Sequence, residues 1–290
     1  MTDSVEYHAR DDNFRLAYHK VIGDGPTVVW LGGFHSDMTG TKAQVLADQA
    51  QATGGGFVRF DYFGHGASDG DFAEGTISRW REDALSVIDD LTTGPLVLVG
   101  SSMGGWIACL AAIARPERVK AMVLIAPAPD FTEKLMEPEL SAEAKTAIAR
   151  DGFWTRPSDY EDGGYPITRE LLEDGARWSI LQGAVPIDVP VRVLQGGADP
   201  DVPWTHALEL ANSLTSSDVV FTLIKDGDHR LSRPQDLERL VAAVAEARSR
   251  VATEGEGDLV SRRLARAARL RGAPNLEALA PAPWASAEEE

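Results

Sequence analysis

The stretch Leu96-Val97-Leu98-Val99-Gly100-Ser101-Ser102-Met103-Gly104-Gly105-Trp106 decides how this chain is read. Its first four residues form an apolar run of the kind buried in a parallel sheet. The run enters Gly-x-Ser-x-Gly, and small and apolar residues follow in a helical pattern over 106–114. Strand, tight turn and helix in that order are the context in which Gly-x-Ser-x-Gly presents a nucleophile. The reason is steric. To hold its hydroxyl clear of the sheet, Ser102 must take up a strained backbone near positive φ, and side chains at 100 and 104 would collide with that turn. Glycine at both positions removes them. The start of the helix then points N–H groups, with their partial positive charge, at whatever the hydroxyl attacks.

Outward from this point, strand and helix patterns alternate. Strands are expected at 27–31, 57–60, 119–126, 191–195 and 219–224, with an antiparallel edge strand at 14–22 and a turn at 23–26. Helices are expected at 41–52, 78–91, 204–214 and 234–247. Such alternation makes a mostly parallel sheet covered by helices on both faces, with its active site beyond the carboxyl ends of the strands. The segment 127–190 breaks the pattern with helices near 139–150 and 169–181 and the aromatic pair Phe153-Trp154, and reads as a helical cap inserted over the site. The core is therefore 1–126 with 191–250. Beyond it, 251–290 is a tail with a linker at Gly255-Glu256-Gly257, an Arg-rich helix at 259–271 and an unstructured end.

Composition narrows the function. With 290 residues the chain is long enough for a sizeable core, and its net charge of −17 argues against a nucleic-acid surface. The single cysteine, Cys109, allows no internal disulfide and falls on an apolar helix, where it reads as a small buried hydrophobe. No apolar stretch approaches membrane-spanning length, and the N-terminus shows no basic, apolar leader, so a cytoplasmic location is expected. No phosphate-binding or dinucleotide-binding glycine pattern follows a strand.

A serine hydroxyl needs a base within hydrogen-bond reach, steadied by a carboxylate. His229, in the loop after the last strand, is the expected base; His35 and His65, also at strand ends, stay open by position, and His206 is expected to face solvent. Asp199, just after the preceding strand, is the expected acid, with Asp201 as rival or as an end cap of the next helix. The backbone N–H of Met103 and that of Phe34, with Gly33 as fallback, are the expected oxyanion donors. Met136, Trp154 and Trp178 are candidate walls of an apolar acyl pocket, or the cap's own core. No cofactor or metal is called for; Asp61 and His65 meet at a strand end, but their glycine neighbours suggest a structural loop.

Together with Asp37-Met38-Thr39-Gly40-Thr41-Lys42-Ala43, Arg59-Phe60-Asp61-Tyr62-Phe63-Gly64-His65-Gly66-Ala67-Ser68, Ala114-Arg115-Pro116-Glu117 and Asp228-His229-Arg230, these residues resemble the α/β-hydrolases over 14–247. The similarity is to the branch of mitochondrial palmitoyl-protein thioesterases that also act as acyl-glucuronide esterases, and to its bacterial relatives. The resemblance implies hydrolysis of acyl thioesters or carboxylic esters through an acyl-enzyme on Ser102, with Asp199 and His229 completing the triad. An acyltransferase or a ligand-sensing protein with a hydrolase-like shell is the alternative. Two features depart from the branch, the missing presequence and the Arg-rich tail.

Overall fold

The computed structural model describes residues 5–10, 12–157 and 164–270. The chain opens with β1 (Glu6–Ala9), β2 (Arg15–Val21), β3 (Asp24–Leu31), α1 (Thr41–Thr53) and β4 (Gly55–Phe60). Next come α2 (Ile77–Leu91), β5 (Leu96–Ser101), α3 (Met103–Ala114) and β6 (Val119–Ile125). A π-turn at Thr132–Met136 leads to α4 (Glu137–Glu139), α5 (Ala142–Asp151), the hairpin β7 (Phe153–Arg156) and β8 (Tyr165–Thr168), and α6 (Arg169–Arg177). The sheet resumes with β9 (Val191–Gly196), α7 (Trp204–Ser213), β10 (Val219–Ile224) and α8 (Pro234–Leu270).

Eight strands form one sheet in the order β1-β2-β4-β3-β5-β6-β9-β10. The pairs β1–β2 and β2–β4 are antiparallel, and every other pair is parallel. Alternation along each strand sorts side chains onto two faces. Val28, Trp30, Val97 and Val99 pack with Leu46 of α1 and Leu240 of α8. Val29, Leu31 and Leu98 pack with Trp80 of α2 and Trp106 of α3. Full burial of a side chain such as Leu98 stabilises the fold by roughly 1.5–3 kcal/mol. Because both faces are covered, β5 is buried along its whole length, which is why it reads as a continuous apolar run.

Several elements differ from expectation. Strand β2 is not the edge; the short, mostly exposed β1 lies outside it. Of the expected turn at 23–26, all but Gly23 already belong to β3, whose pairing with β4 is irregular between Asp24 and Val28. Helix α7 begins after Pro203 with no side-chain cap, so Asp201 does not cap it. The expected linker at 255–257 is helical, part of α8; two glycines cost about 1 kcal/mol each relative to alanine, which the flanking helix formers can offset. The chain divides into two compact units, one ending at Val251 and the other starting at Ala252. The side chains of Arg262, Arg263, Arg266 and Arg269 and the whole of 271–290 lie outside the described residues. Among the described residues, no helix is long and apolar enough to cross a membrane.

Candidate active site

Ser102 occupies the turn between β5 and α3 with φ 55° and ψ −119°. A non-glycine residue pays for that backbone in strain, so the turn has to be held from outside. Its N–H donates to Ile125 O at 2.9 Å, while its own carbonyl accepts from Gly105 and Ala128 N–H. The flanking glycines matter as the sequence suggested. A Cβ on Gly104 would lie 2.1 Å from Leu31 O and 2.4 Å from Gly32 O, and one on Gly100 would lie 2.4 Å from Gly104 O. All are backbone atoms, which have little room to yield. Gly104→Ala is therefore expected to destabilise the protein by on the order of 3 kcal/mol, checked as a shift in the urea unfolding midpoint with unchanged slope.

The ends of four strands lie level. Ser101 pairs with Ile125, Ile125 with Leu194, and Gly196 with Ile224. The loops that follow β5, β9 and β10 thus leave the same edge of the sheet, and they carry Ser102, Asp199 and His229. The imidazole and carboxylate meet, with His229 Nδ1 2.9 Å from Asp199 Oδ2. A carboxylate only accepts, so Nδ1 carries the proton and Nε2 keeps the lone pair that a base needs. Among the described residues no hydrogen bond joins the Ser102 hydroxyl to His229; catalytic contacts of this kind commonly tighten only around substrate.

Asp199 is held on both oxygens. Oδ1 accepts from the N–H groups of Asp201 and Val202, each at 2.9 Å, and Oδ2 accepts from Gln195 Nε2 at 3.2 Å as well as from His229. Burial by itself raises the carboxyl pKa, but the hydrogen bond and charge of His229 and the two backbone donors outweigh it and lower the pKa. Gln195 escaped the sequence reading. Its one signal was an amide placed at the end of an expected strand. Asp201, the rival acid, is exposed and meets Asp199 through its backbone N–H. Asp199, Asp201 and His229 each offer an atom within 4.8 Å of the others; a cation held there would compete for the groups that now pair with one another.

Met103 is the first residue of α3, so its N–H has no acceptor within the helix. Across from it, the loop after β3 approaches closely, a Cβ on Gly33 reaching 3.5 Å from Ser102 Cβ. Within that loop Ser36 N–H donates to Gly33 O and His35 N–H donates to His65 Nε2 at 3.2 Å. The amides of His35 and Ser36 are thereby committed elsewhere, which leaves Phe34 N–H, the residue before them, as the candidate. The Phe34 ring is enclosed by Phe72, Trp80, Phe131 and Tyr165, with centroids 5.0–5.8 Å away.

Other expectations resolve individually. His206 is buried, not solvent-facing, because its Nε2 bonds Pro129 O at 2.8 Å. Cys109 is fully buried and its thiol is pushed up to about 12, which leaves it unreactive. Asp61 and His65 spend their side chains on backbone groups: Asp61 accepts from Met38 and Ala67 N–H, and His65 bonds Phe63 O and His35 N–H. Met136 is buried in the larger core, and Trp154 packs against it partly covered. Trp178 ties the insertion to α2, its indole N–H donating to Ser78 Oγ at 2.7 Å and its ring lying 4.5 Å from the Arg81 guanidinium carbon. Asp130, at the insertion's start, accepts from Ser179 Oγ and the N–H groups of Ile180 and Leu181 at its end. That clasp was invisible in the sequence.

A parallel sheet, a serine on a strained strand-to-helix turn and a His–carboxylate pair at neighbouring strand ends define an α/β-hydrolase of the serine class. Comparison with known proteins agrees. Residues 26–150 match the family model described as serine aminopeptidase, S33. The mitochondrial palmitoyl-protein thioesterase ABHD10 of Bos taurus is 39% identical over 83% of this chain and 79% of its own length. The structure of mouse α/β-hydrolase domain-containing protein 10 is 38% identical with TM-score 0.77, covering 84% of this chain and 97% of that one. A putative hydrolase from Agrobacterium vitis S4 is 46% identical with TM-score 0.80, covering 84% and 99%. The chain belongs to the ABHD10 family of α/β-hydrolases. The expected cytoplasmic location is overturned by the same comparison, because these relatives are named as mitochondrial in cattle, orangutan, human and mouse.

Proposed function

We propose that the protein hydrolyses acyl thioesters and carboxylic esters through an acyl-enzyme on Ser102. Ser102 Oγ attacks the acyl carbonyl while His229 Nε2 takes its proton and Asp199 holds the imidazole in the Nδ1–H form. The N–H groups of Met103 and Phe34 receive the oxyanion. The proton passes from His229 to the departing thiolate or alkoxide. Water then attacks the acyl-enzyme with His229 again as base, freeing the acid and Ser102. Residues 127–190 act as the cap, with Met136, Trp154 and Trp178 as walls of an apolar acyl pocket, Trp178 doubling as its anchor.

The observation that carries this reading is the φ of 55° at Ser102, a strained serine at the mouth of the sheet with the Asp199–His229 pair on the same edge. The palmitoyl-protein thioesterase name borne by the relatives favours a long acyl chain on a thiol. Acyl glucuronides are the second substrate class to test. A panel of acyl thioesters of graded chain length, with acyl glucuronides alongside, separates them. The expected result is rising kcat/KM toward long-chain thioesters; a protein that hydrolyses none of the panel refutes the assignment.

A further inference from the structure

We infer that His65 is a positioning residue of the oxyanion hole, holding the loop after β3 so that Phe34 N–H faces the carbonyl attacked by Ser102. The inference rests on the proposed hydrolase reading and adds to it a residue from a different loop, that following β4.

His65 is almost wholly buried. Its Nδ1 lies 3.1 Å from Phe63 O, an atom that only accepts, so Nδ1 carries the proton. Its Nε2 lies 3.2 Å from His35 N, which only donates, so Nε2 is the acceptor. One neutral tautomer satisfies both contacts. An imidazolium would set one N–H against another, and burial accordingly lowers the pKa to about 4.

The amide that His65 grips joins Phe34 to His35. His35 is itself in the left-handed region at φ 55°, uncommon for a side chain of its size. Its ring stacks on Tyr165 at 5.4 Å and meets the Phe72 edge at 4.5 Å. Three residues on, the same loop is gripped a second time, Met38 N–H donating to Asp61 Oδ1 at 2.6 Å. Asp61 and His65 thus present two acceptors to two amides of the neighbouring loop. The Phe34 peptide sits just before the first of them, its ring fixed by aromatic neighbours and its following amide by His65. Oxyanion stabilisation demands donors aimed before reaction, so a loop free to rotate its peptides would lose rate and leave substrate binding in place.

The test compares three variants with a long-chain acyl thioester. His65→Leu removes the acceptor, and His65→Asn keeps a polar side chain too short to reach His35 N–H. His65→Gln can place a carbonyl oxygen near the position of Nε2. Leu and Asn variants are expected to lose about 10²-fold in kcat with KM changed by no more than about threefold, as when one oxyanion donor is removed. The Gln variant is expected to retain kcat within about fivefold of the parent. Each is unfolded in urea in parallel, so that loss of fold is separated from loss of rate, and the Asn variant carries the comparison where Leu does not fold. A folded Leu or Asn variant with parental kcat overturns the inference, as does a Gln variant that loses as much as Asn. Activity that survives Ser102→Ala instead overturns the hydrolase reading beneath it, a different outcome in a different variant.

Discussion

Replacing Ser102 with alanine is expected to lower kcat for an acyl thioester by ~10⁶-fold and to abolish labelling by a fluorophosphonate. The magnitude follows from the mechanism. Without Oγ no acyl-enzyme forms, and the proposed donors on Met103 and Phe34 would assist water alone, a residual effect worth ~10³–10⁴ over the uncatalysed rate. Stability should hardly change. Alanine adopts the φ of 55° no less readily than serine, and the backbone bonds from Ser102 N–H to Ile125 O and from Gly105 N–H to Ser102 O do not involve the side chain. Loss of activity with an unmoved unfolding midpoint is the expected signature. A variant that still labels or still turns over places the nucleophile elsewhere.

The central strands could be read from the chain because burial on both faces leaves an uninterrupted apolar run, as in β5. Strand β1 and the β7–β8 hairpin offered no such run. Each strand is four residues long, β1 is largely open to solvent and β7 and β8 are mostly half-covered, and the pairing partner is what makes each a strand. The true edge of the sheet was missed for that reason. Helix α8 shows the opposite error, since two glycines suggested a break that flanking residues of good helix propensity do not allow.

At the site, the residues that could be found were those whose chemical type and strand-end position both carry information. Ser102, Asp199 and His229 have both. Gln195 and His65 also stand at strand ends, but type and position do not disclose what they do, because their roles exist only through contacts: one amide turned onto a carboxylate four residues away, and one imidazole reaching a backbone N–H thirty residues earlier in the chain. His206 was misplaced for the same reason. Its helix position suggested solvent, but the carbonyl of Pro129 lies over it. The insertion is the part least fixed by sequence, since the anchoring of Trp178 on Ser78 and Arg81 of α2 exists only through contacts a hundred residues apart in the chain.

Asp199→Asn is expected to lower kcat by ~10⁴-fold at neutral pH with the fold intact, and the hydrogen bonds around Asp199 give the reason. Oδ1 takes two backbone donors, from Asp201 and Val202. An asparagine must put its carbonyl there, because its amino group would face N–H with N–H. The amino group then occupies the Oδ2 position, against Gln195 Nε2 and His229 Nδ1. Facing a donor, the imidazole relieves the clash by moving its proton from Nδ1 to Nε2. That tautomer points an N–H at Ser102 and has no lone pair left to take the hydroxyl proton. Raising the pH helps the variant only by supplying hydroxide, so its residual rate should climb with pH where the parent is level. Adding Gln195→Glu to Asp199→Asn gives the asparagine amino group a carboxylate to donate to but leaves the imidazole facing the same donor, so activity is expected to stay low. Recovery of parental kcat in that double variant, or a loss of less than about tenfold in Asp199→Asn alone, would mean that the carboxylate does not set the tautomer of His229.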